Sequence, residues 1–430
     1  MSGTIYALSS APGRAGVAVL RVSGPAAGAV VGALCGALPE PRKAVLRPVR
    51  GADGAAIDQA LLLWFPAPGS FTGEDVAELH VHGGRAVVEA VLRAIAAVPG
   101  TRPAEPGAFT RRAVENGKFD LTQAEALSDL IDAETEGQRR QALSQYGGAL
   151  AALYEDWRAR LIRILAWAEA AIDFSDEELP PGLTGSVVRQ VSDIVEEMEN
   201  HLDDSRRGEI VRDGLYLTVI GPPNAGKSSL INALAQRDVA IVSETAGTTR
   251  DVIEVRLDIG GYAVIVADTA GLRAETGDPV EREGMRRALA RAEQSDLVLL
   301  LLDGTTGGAG SQPADLVVWN KSDLPGFEAG EGLSVSLKNG AGMDNLLKEI
   351  EKNVTARLER VREAPALTRA RHRQALMEAL AALRRAQAAS EAELLAEDLR
   401  LAVRAVGRIT GRVDVEELLD VVFRDFCIGK

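Results

Sequence analysis

A glycine-rich stretch that ends in a lysine and a serine is the part of this sequence best suited to chemistry. It runs from Gly221 to Ser228 and has the spacing G-x-x-x-x-G-K-S. In such a loop the backbone N–H groups surround a polyphosphate, while the lysine and the hydroxyl bind the outer phosphates and Mg²⁺. An apolar run, Leu215 to Ile220, precedes the loop, and an apolar helical pattern follows it. This strand–loop–helix context predicts a phosphate-binding loop, not an ordinary glycine-rich turn.

Two further motifs indicate which nucleotide is bound. The sequence DTAG, Asp268 to Gly271, follows the apolar run Ala263–Ala267 and supplies a carboxylate for Mg²⁺ and a glycine N–H for a γ-phosphate. The sequence NKSD, Asn320 to Asp323, follows the apolar run Leu316–Trp319. Its carboxylate can accept two N–H groups of guanine, a pairing that the edge of adenine does not offer. With Ser336–Lys338 completing the base pocket, the order of these motifs predicts a GTPase.

Composition limits the class of protein. The chain has 430 residues, of which 46% are hydrophobic and 26% charged, so we expect two or three folded domains. The net charge of −14 argues against a protein that coats nucleic acid non-specifically, although it allows a local basic patch. Cys35 and Cys427 are too few for a disulfide framework, which indicates a reducing compartment. Because no apolar run has the length of a signal sequence or a membrane span, we expect a soluble cytoplasmic protein.

Sequence texture predicts the elements around these motifs. Residues 1–117 predict an α+β domain with strands and helices at Thr4–Leu8, Val17–Val22, Ala26–Gly36, Ala60–Phe65, Val76–Val81 and Arg85–Val98. Residues 118–209 predict the first part of a helical domain, 210–357 an inserted G domain, and 358–430 the second helical part. At the start of the helical block, Thr122 with Glu125 predicts a capping box.

A pair of histidines in the N-terminal part raises the question of a metal. His80 and His82 lie two residues apart in a predicted strand, and Glu78 is nearby. Side chains at this spacing share one face of a strand, but no third convincing ligand is in the sequence. We therefore predict no metal at this place.

Over its full length the chain resembles the MnmE family of tRNA modification GTPases, also called TrmE. The likeness rests on TIYALSSAPGRAGVAVLRVSG, FTGED followed by HGG, PGAFTRRAVENGKFDLTQAEAL, GPPNAGKSSLINAL, AGTTRD, DTAGLR, NKSD and the terminal CIGK. The resemblance implies a multidomain α/β protein with an N-terminal α+β folate-binding-like domain, an all-α helical domain and an inserted Ras-like P-loop G domain. It also implies a homodimer that forms a heterotetramer with the flavoprotein MnmG. Together they add an aminomethyl or carboxymethylaminomethyl group to C5 of the wobble uridine of tRNA.

The family also implies a site for a one-carbon donor of the 5-formyltetrahydrofolate type. The matching positions are Arg21, Glu78, Lys118 and the terminal Lys430, and Cys427 belongs to the same C-terminal motif. One carboxylate and three cations suit a ligand that offers both pteridine donors and glutamate carboxylates. The tail before them is apolar, so we expect it to dock on the helical domain; simple packing and a role in the chemistry remain two interpretations of Cys427.

In the G domain, the resemblance implies a GTPase that is activated by K⁺. Residues at the family's GTP-binding positions are Asn224, Ala225, Gly226, Lys227, Ser228, Ser229, Ser243, Glu244, Thr245, Ala246, Gly247, Thr248, Thr249, Asp268, Thr269, Ala270, Gly271, Asn320, Lys321, Ser322, Asp323, Ser336, Leu337 and Lys338. Ser228 and Thr249 match Mg²⁺ ligands, and the residues that match the K⁺ site are Asn224, Ser243, Thr245 and Thr248. Leu272 stands where Ras-type enzymes have a glutamine, and Glu281 matches the family's substitute carboxylate, acting with Lys227 and Thr249.

This chain departs from the family pattern at a few places. The segment 304–316 is short, which predicts that a peripheral helix is missing from the G domain. The loop Arg273–Pro279 is one residue longer than is common, and Ser243 stands where threonine is frequent.

Two other functions fit a GTPase of this size. One is a ribosome-assembly switch that binds RNA, although no GXXG clamp in a basic context is in the sequence. The other is a folate-dependent transferase with a regulatory G domain and no role on tRNA.

Overall fold

The computed structural model describes the greater part of the chain. The described residues are 3–173, 183–204, 206–237, 239–241, 254–268, 295–306, 313–358, 365–389, 391–413, 419, 422, 423, 426 and 429, with the backbone alone at 183–187, 254, 267 and 268. The chain divides into two compact units, one of Met1–Ser128, Tyr154–Ala159 and Val403–Lys430, the other of Asp129–Leu153 and Arg160–Ala402.

The first unit contains a sheet whose described strands follow the order β3-β4-β5-β2-β1-β6. These strands are β1 (Thr4–Leu8), β2 (Ala15–Ser23), β3 (Val45–Arg50), β4 (Ala56–Phe65), β5 (Val76–Gly83) and β6 (Thr101–Pro103). Their neighbours pair antiparallel except β1 and β6, which are parallel. The strands predicted from sequence correspond to β1, β2, β4 and β5 and are confirmed, while β3 and β6 were not predicted.

Helices cover both faces of this sheet. Helices α1 (Ala27–Cys35) and α2 (Arg85–Ala96) contribute to an apolar core with Leu20, Leu62 and Leu79 of the strands. On the other side, Phe109 of α3 (Ala108–Glu115) is fully buried against Ile5 and Ala7.

The C-terminal tail packs in the same unit. Phe423 and Phe426 are buried against Leu121 and Ala124, which begin helix α4 (Leu121–Asp132). The predicted docking of the tail thus occurs on α4. The predicted capping box of Thr122 with Glu125 is wrong, because Asp120 caps α4: its Oδ1 accepts from the Gln123 backbone N–H at 2.9 Å.

Helices and a second sheet make up the other unit. Its helical part contains α5 (Glu136–Tyr146), α6 (Ala149–Asp173), α7 (Leu183–Leu202), α8 (Arg207–Asp213), and, after the nucleotide-binding segment, α11 (Ala370–Ala388) and α12 (Ala392–Thr410). Helix α7 packs against α11, so the helices before and after the inserted segment associate, as the sequence predicts. Of the described helices, none combines the length and the apolar character that a membrane span requires.

The second sheet has the strand order β12-β11-β10-β7-β9-β8 among the described residues. Its strands are β7 (Leu215–Ile220), β8 (Glu254–Ile259), β9 (Tyr262–Asp268), β10 (Leu297–Asp303), β11 (Leu316–Asn320) and β12 (Leu333–Ser334). All are parallel except β8, which pairs antiparallel with β9. Helices α9 (Lys227–Ala235) and α10 (Met343–Leu358) cover one face. Because carboxyl ends of parallel strands meet at one edge, the phosphate loop, Asp268 and the NKSD sequence share that edge.

The short crossover from β10 to β11 was predicted to lack a helix. Its described residues, 304–306 and 313–315, form a turn and irregular chain, and 307–312 lie outside the described residues. The ring of Phe327 lies so close to Gly304 that any Cβ there would overlap it. The predicted fold class, an α+β part, a helical part and an inserted parallel-sheet nucleotide-binding fold, is confirmed.

Candidate functional site

The phosphate loop has positive φ angles at three residues, two of which are glycines. Gly221 has φ of +147° and lies against the Leu301 carbonyl, where a Cβ would overlap that oxygen. Gly226 has φ of +105°, and a Cβ there would lie 2.5 Å from the Asn320 side-chain nitrogen. Asn224 also has a positive φ, +62°, which asparagine tolerates better than most residues. The loop therefore sits directly on β10 and β11.

The cationic and hydroxyl groups of the loop lie at the start of α9. Lys227 is the first residue of the helix, and its Nζ donates to the Gly221 and Pro222 carbonyls at 2.9 Å each. Ser228 and Ser229 follow on the exposed side. The helix N-terminus adds partial positive charge at the same place, so these groups suit a polyphosphate with its metal ion.

Asn320 joins the phosphate loop to the base-reading loops. This buried side chain donates from Nδ2 to the Ala225 carbonyl at 2.8 Å. Its Oδ1 accepts from the backbone N–H of Lys321 at 2.7 Å and of Leu337 at 3.3 Å. One amide thus fixes three loops, of which the phosphate loop lies 95 residues and the Leu337 loop 17 residues from Asn320 in sequence.

Asp323 lies beside Asn320 with its carboxylate near solvent. Its Oδ1 accepts from Ser336 Oγ at 2.6 Å, and this hydrogen bond holds the pKa of Asp323 below its usual range. The Lys321 ammonium pairs with Asp303. Burial raises the pKa of Asp303, but hydrogen bonds from Lys321 and Thr305 outweigh burial and leave it lowered. Ser322 and Lys338 lie on the same loops, so the predicted base-reading residues are close together.

The remaining nucleotide residues are only partly described. Asp268 is the last residue of β9 and lies in register with Val219 of β7, next to the start of the phosphate loop. Several predicted residues lie outside the described residues and stay predictions: Ser243, Glu244, Thr245, Ala246, Gly247, Thr248, Thr249, Thr269, Ala270, Gly271, Glu281, Cys427 and Lys430.

A second cluster of charged groups lies in the first unit. Arg21 of β2 pairs with Glu78 of β5 in the sheet register, and Arg21 Nε donates to Glu78 Oε1 at 3.0 Å. The guanidinium carbon lies 5.3 Å from the ring centroid of Phe71 and 5.7 Å from that of Phe109. Both charged side chains remain about one-fifth exposed, so a ligand can reach them.

Lys118 borders the same cluster through the FTGED loop. Its Nζ donates to the Pro68 carbonyl at 2.8 Å. Gly73 has φ of +78°, and a Cβ there would lie 3.1 Å from Asn116 Cβ and 3.3 Å from Lys118 Cδ. The loop that carries Phe71 thus lies directly against the Asn116–Lys118 turn.

Arg112 supports this loop, and sequence reasoning did not assign it a role. It is buried in α3, where its guanidinium donates to Glu74 Oε2 at 2.7 Å, to the Ser23 carbonyl at 3.1 Å and to the Gly3 carbonyl at 2.6 Å. A usable signal was present in the sequence, since Arg112 lies between the apolar Phe109 and Ala113 on a short helix.

The C-terminal segment ends near the same strands. Ser9 Oγ donates to the Gly429 carbonyl at 2.8 Å. Gly429 has φ of +97° and lies so close to the Leu8 carbonyl that a Cβ would overlap it. Leu8 is in register with Leu20, the residue before Arg21.

The two strand histidines bind carboxylates. His82 Nδ1 lies 2.8 Å from Asp58 Oδ1, and His80 Nε2 lies 3.4 Å from Glu78 Oε2. Burial raises the pKa of Asp58, but hydrogen bonds from His82 outweigh it and lower the pKa overall. Within the described ranges, no group of three or more His, Cys, Asp or Glu residues is arranged to hold a metal.

A parallel sheet with a phosphate loop after β7 and an NKSD loop after β11 defines a P-loop GTPase. Comparison with known families is more specific. The profile of the MnmE helical domain matches residues 121–427, and that of the GTP-binding protein TrmE N-terminus matches residues 4–118. The chain belongs to the MnmE (TrmE) family, as its motifs predict.

Three relatives show how far the similarity extends. The tRNA modification GTPase MnmE of Parvibaculum lavamentivorans is 57% identical, over 99% of this chain and 100% of the relative. That of Rhodospirillum rubrum is 54% identical over 99% of both chains. That of Paramagnetospirillum magneticum is 54% identical over 100% of both.

Proposed function

We propose that this chain hydrolyses GTP with Mg²⁺ and K⁺ and, with the partner MnmG, modifies C5 of the wobble uridine of tRNA by an aminomethyl or carboxymethylaminomethyl group. The observation that carries the proposal is the presence of two built sites on one chain of the MnmE family. One is the Asn320-centred nucleotide site. The other is the Arg21–Glu78 pair, whose guanidinium lies over the ring of Phe71. GTPase activity and tRNA modification match the names of the relatives.

The nucleotide site supports GTP hydrolysis through groups that are already oriented. Lys227 Nζ, now on two loop carbonyls, lies where it can exchange them for phosphate oxygens. Ser336 holds Asp323, and the ionised carboxylate would accept the two N–H groups of guanine. Ser228, with Thr249, would hold Mg²⁺, which neutralises phosphate charge when bound.

A potassium ion is proposed at Asn224 with Ser243, Thr245 and Thr248. Asn224 is exposed in the phosphate loop, and its amide oxygen is a suitable neutral donor. Bound K⁺ would supply positive charge at the phosphates, the role that arginine fingers fill with gains of about 10³–10⁵ in rate. Glu281 would orient the attacking water.

The one-carbon donor of the 5-formyltetrahydrofolate type is proposed to bind at Arg21, Glu78 and Lys118, with Lys430 nearby. Glu78 can accept N–H groups of a pteridine, and the two cations can bind carboxylates. Phe71, which is partly exposed beside Arg21, offers a ring face for stacking. When bound, this donor supplies the one-carbon unit of the modification.

A homodimer is proposed through the N-terminal sheet. Leu46 of β3 is 63% exposed and lies opposite Leu61 of β4, which is 39% exposed. Apolar side chains on a strand at the end of a sheet favour association with a second sheet. Analytical ultracentrifugation of Leu46→Glu should show monomers, and a variant that still sediments as a dimer would move the interface elsewhere.

The association with MnmG and the division of the chain at 1–117, 118–209, 210–357 and 358–430 are part of the same proposal. A tagged chain should retain MnmG from a bacterial lysate. Absence of MnmG from the retained proteins would remove the heterotetramer from the proposal.

Mass spectrometry of tRNA tests the proposed reaction. A bacterial strain in which the gene for its own family member is deleted should lack the wobble-uridine modification. Expression of this chain in that strain should restore it. Arg21→Gln should fail to restore it while retaining GTP hydrolysis, because Arg21 lies in the first unit. If the chain restores no modified uridine although it is folded and hydrolyses GTP, the tRNA function is wrong.

A further inference from the structure

The hairpin of β8 and β9 connects two motifs of the nucleotide site. Its strands pair antiparallel from Glu254 opposite Ala267 to Ile259 opposite Tyr262, and its two-residue turn is Gly260-Gly261. Both glycines have positive φ, +62° and +83°, as a tight hairpin turn requires. In sequence the hairpin joins AGTTRD to DTAG, so a shift of the hairpin moves Asp268 relative to the phosphate loop.

The turn of this hairpin lies against the first turn of α5. The Gly137 N–H donates to the Gly261 carbonyl at 2.7 Å. A Cβ on Gly137 would lie 2.8 Å from that carbonyl and 2.9 Å from the ring of Tyr262. Beside this contact, Arg256 of β8 pairs with Glu134 at 3.2 Å. Only glycine at position 137 lets helix and hairpin approach this closely.

The start of α5 is itself rigid. Thr135 and Gln138 form a complete capping box, and both side chains are buried. On its other side, the hairpin turn lies near α10, where a Cβ on Gly260 would lie 3.1 Å from Glu351 Cγ. The turn is therefore fixed between a helix of the helical part and a helix of the nucleotide-binding part.

The same helix also binds both chain segments that connect the inserted part. Three glutamines on one face of α5 donate from Nε2 to backbone carbonyls: Gln138 to Arg212 at 2.9 Å, Gln141 to Gly208 at 2.9 Å and Gln145 to Ala366 at 3.0 Å. The first two acceptors lie in the incoming segment and the third in the outgoing segment. Gly208 and the Leu367 carbonyl are so close that a Cβ on Gly208 would overlap the oxygen.

These contacts give α5 a distinct mechanical role. Because its glutamine face fixes the two connections, the inserted part cannot turn freely relative to α5, and a displacement of the β8–β9 hairpin must be transmitted to the start of the helix. We propose that Gly137 and Glu134 are positioning residues for GTP hydrolysis. They hold the hairpin that carries Asp268, and the same contact transmits the nucleotide state to the helical part. Coupling of this kind is reciprocal.

The experiment compares Gly137→Ala with Gly32→Ala in the full chain. Both are glycines within helices, but a Cβ on Gly32 meets no atom within 4 Å. Gly137→Ala should lower kcat for GTP about tenfold or more, because small displacements of reacting groups are costly. Its KM and GDP affinity should stay within about twofold, because the base-reading loops lie on the opposite side of the phosphate loop. Gly32→Ala should keep kcat, KM and GDP affinity.

Hydrogen exchange measures the reciprocal effect. In the unmodified chain, a peptide spanning 134–146 should exchange differently with GDP and with a non-hydrolysable GTP analogue, and Gly137→Ala should abolish that difference. A kcat unchanged by Gly137→Ala, or an α5 peptide insensitive to the nucleotide in the unmodified chain, would overturn the proposal.

A milder pair of variants covers the case in which Gly137→Ala does not fold. Glu134→Gln and Arg256→Gln each remove the ion pair without adding bulk. Each should lower kcat, and the double variant should lower it no further than one of them, since both act through one contact. Fully additive effects on kcat would assign the two residues to separate roles and overturn the shared contact.

Discussion

At the scale of single residues, Asn320 and Asp323 divide the tasks of the base-reading loop. Asn320 is buried and forms its hydrogen bonds within the protein, to the phosphate loop and to the Ser336 loop. Asp323 has one oxygen on Ser336 and faces solvent with the other, so we propose that it is the residue that contacts the base. Loss of Asn320 should therefore disturb every loop of the site, whereas a change at Asp323 should alter specificity.

Asp323→Asn should shift preference from GTP towards xanthosine triphosphate. An amide donates to the xanthine carbonyl that replaces the exocyclic amine of guanine, and Ser336 Oγ can still bond the amide oxygen. Competition of the two nucleotides for the variant, measured by fluorescent-nucleotide displacement, checks this. A variant that remains selective for GTP would show that another residue reads the base.

Asn224→Ala should leave GTP binding nearly intact and remove the stimulation of hydrolysis by K⁺ over Na⁺. Asn224 is exposed in the phosphate loop, and the proposed phosphate ligands, Lys227 and Ser228, remain in the variant. The measurement is the hydrolysis rate in matched KCl and NaCl. If the ratio of the two rates persists in the variant, the ion is not held by Asn224.

At the scale of elements, local patterns predicted what local forces decide. Strands β1, β2, β4 and β5 and helices α1 and α2 follow from apolar alternation and helical spacing. Strand β3 escaped prediction because Arg47 and Pro48 interrupt its apolar pattern, and it exists through pairing with β4. The capping box at Thr122 failed because Asp120, two residues earlier, is also a strong cap and starts the helix.

Contacts between elements could not be predicted from the sequence. Gln138, Gln141 and Gln145 form an ordinary polar helix face by their spacing, and their partners lie up to 221 residues away. The positive φ of Gly261 follows from a Gly-Gly turn, but its contact with Gly137 does not. Distant partners of this kind are set by the packing of whole elements, which one sequence does not record.

The end of α7 should make stability depend on pH. Burial is the main cause that lowers the pKa of His201 to about 4 from 6.5. Above pH 6.5 the imidazole is neutral in both states; below it the unfolded chain takes up the proton first, so stability is lost as pH falls from 6.5 to 4. The loss is about 3 kcal/mol at most.

His201→Gln should flatten that part of the pH dependence. The measurement is the urea midpoint of the full chain between pH 4 and 6.5, together with an NMR titration of the imidazole. The unmodified chain, measured over the same pH range, is the control. An imidazole pKa near 6.5 for His201 would contradict the expectation.

At the scale of the whole molecule, one compact unit is assembled from segments that are distant in sequence. Residues 154–159 and 403–430 join residues 1–128, so the C-terminus belongs to the unit that holds Arg21 and Glu78. The sequence predicted an apolar, docked tail, and the burial of Phe423 and Phe426 agrees with it. Its place beside β1 could not be predicted, because the bond from Ser9 to Gly429 spans 420 residues.

Deletion of Gly429 and Lys430 should separate the two proposed activities. The deletion removes the hydrogen bond from Ser9 and almost no apolar burial, so stability should fall by only about 1 kcal/mol. GTP hydrolysis should persist, because the nucleotide site lies in the other unit. Binding of 5-formyltetrahydrofolate and modification of tRNA should fall sharply, as measured by calorimetry and by mass spectrometry of wobble uridine.

Two substitutions distinguish the loss of Lys430 from the loss of the tail's position. Lys430→Gln keeps the chain length and the terminal carboxylate but removes the ammonium, so donor binding should weaken while Gly429 stays docked. Gly429→Ala keeps Lys430 but places a Cβ on the Leu8 carbonyl at φ of +97°, so it should displace the terminus and weaken binding as the deletion does. Full donor affinity in both variants would show that the terminus packs beside β1 for structural reasons alone.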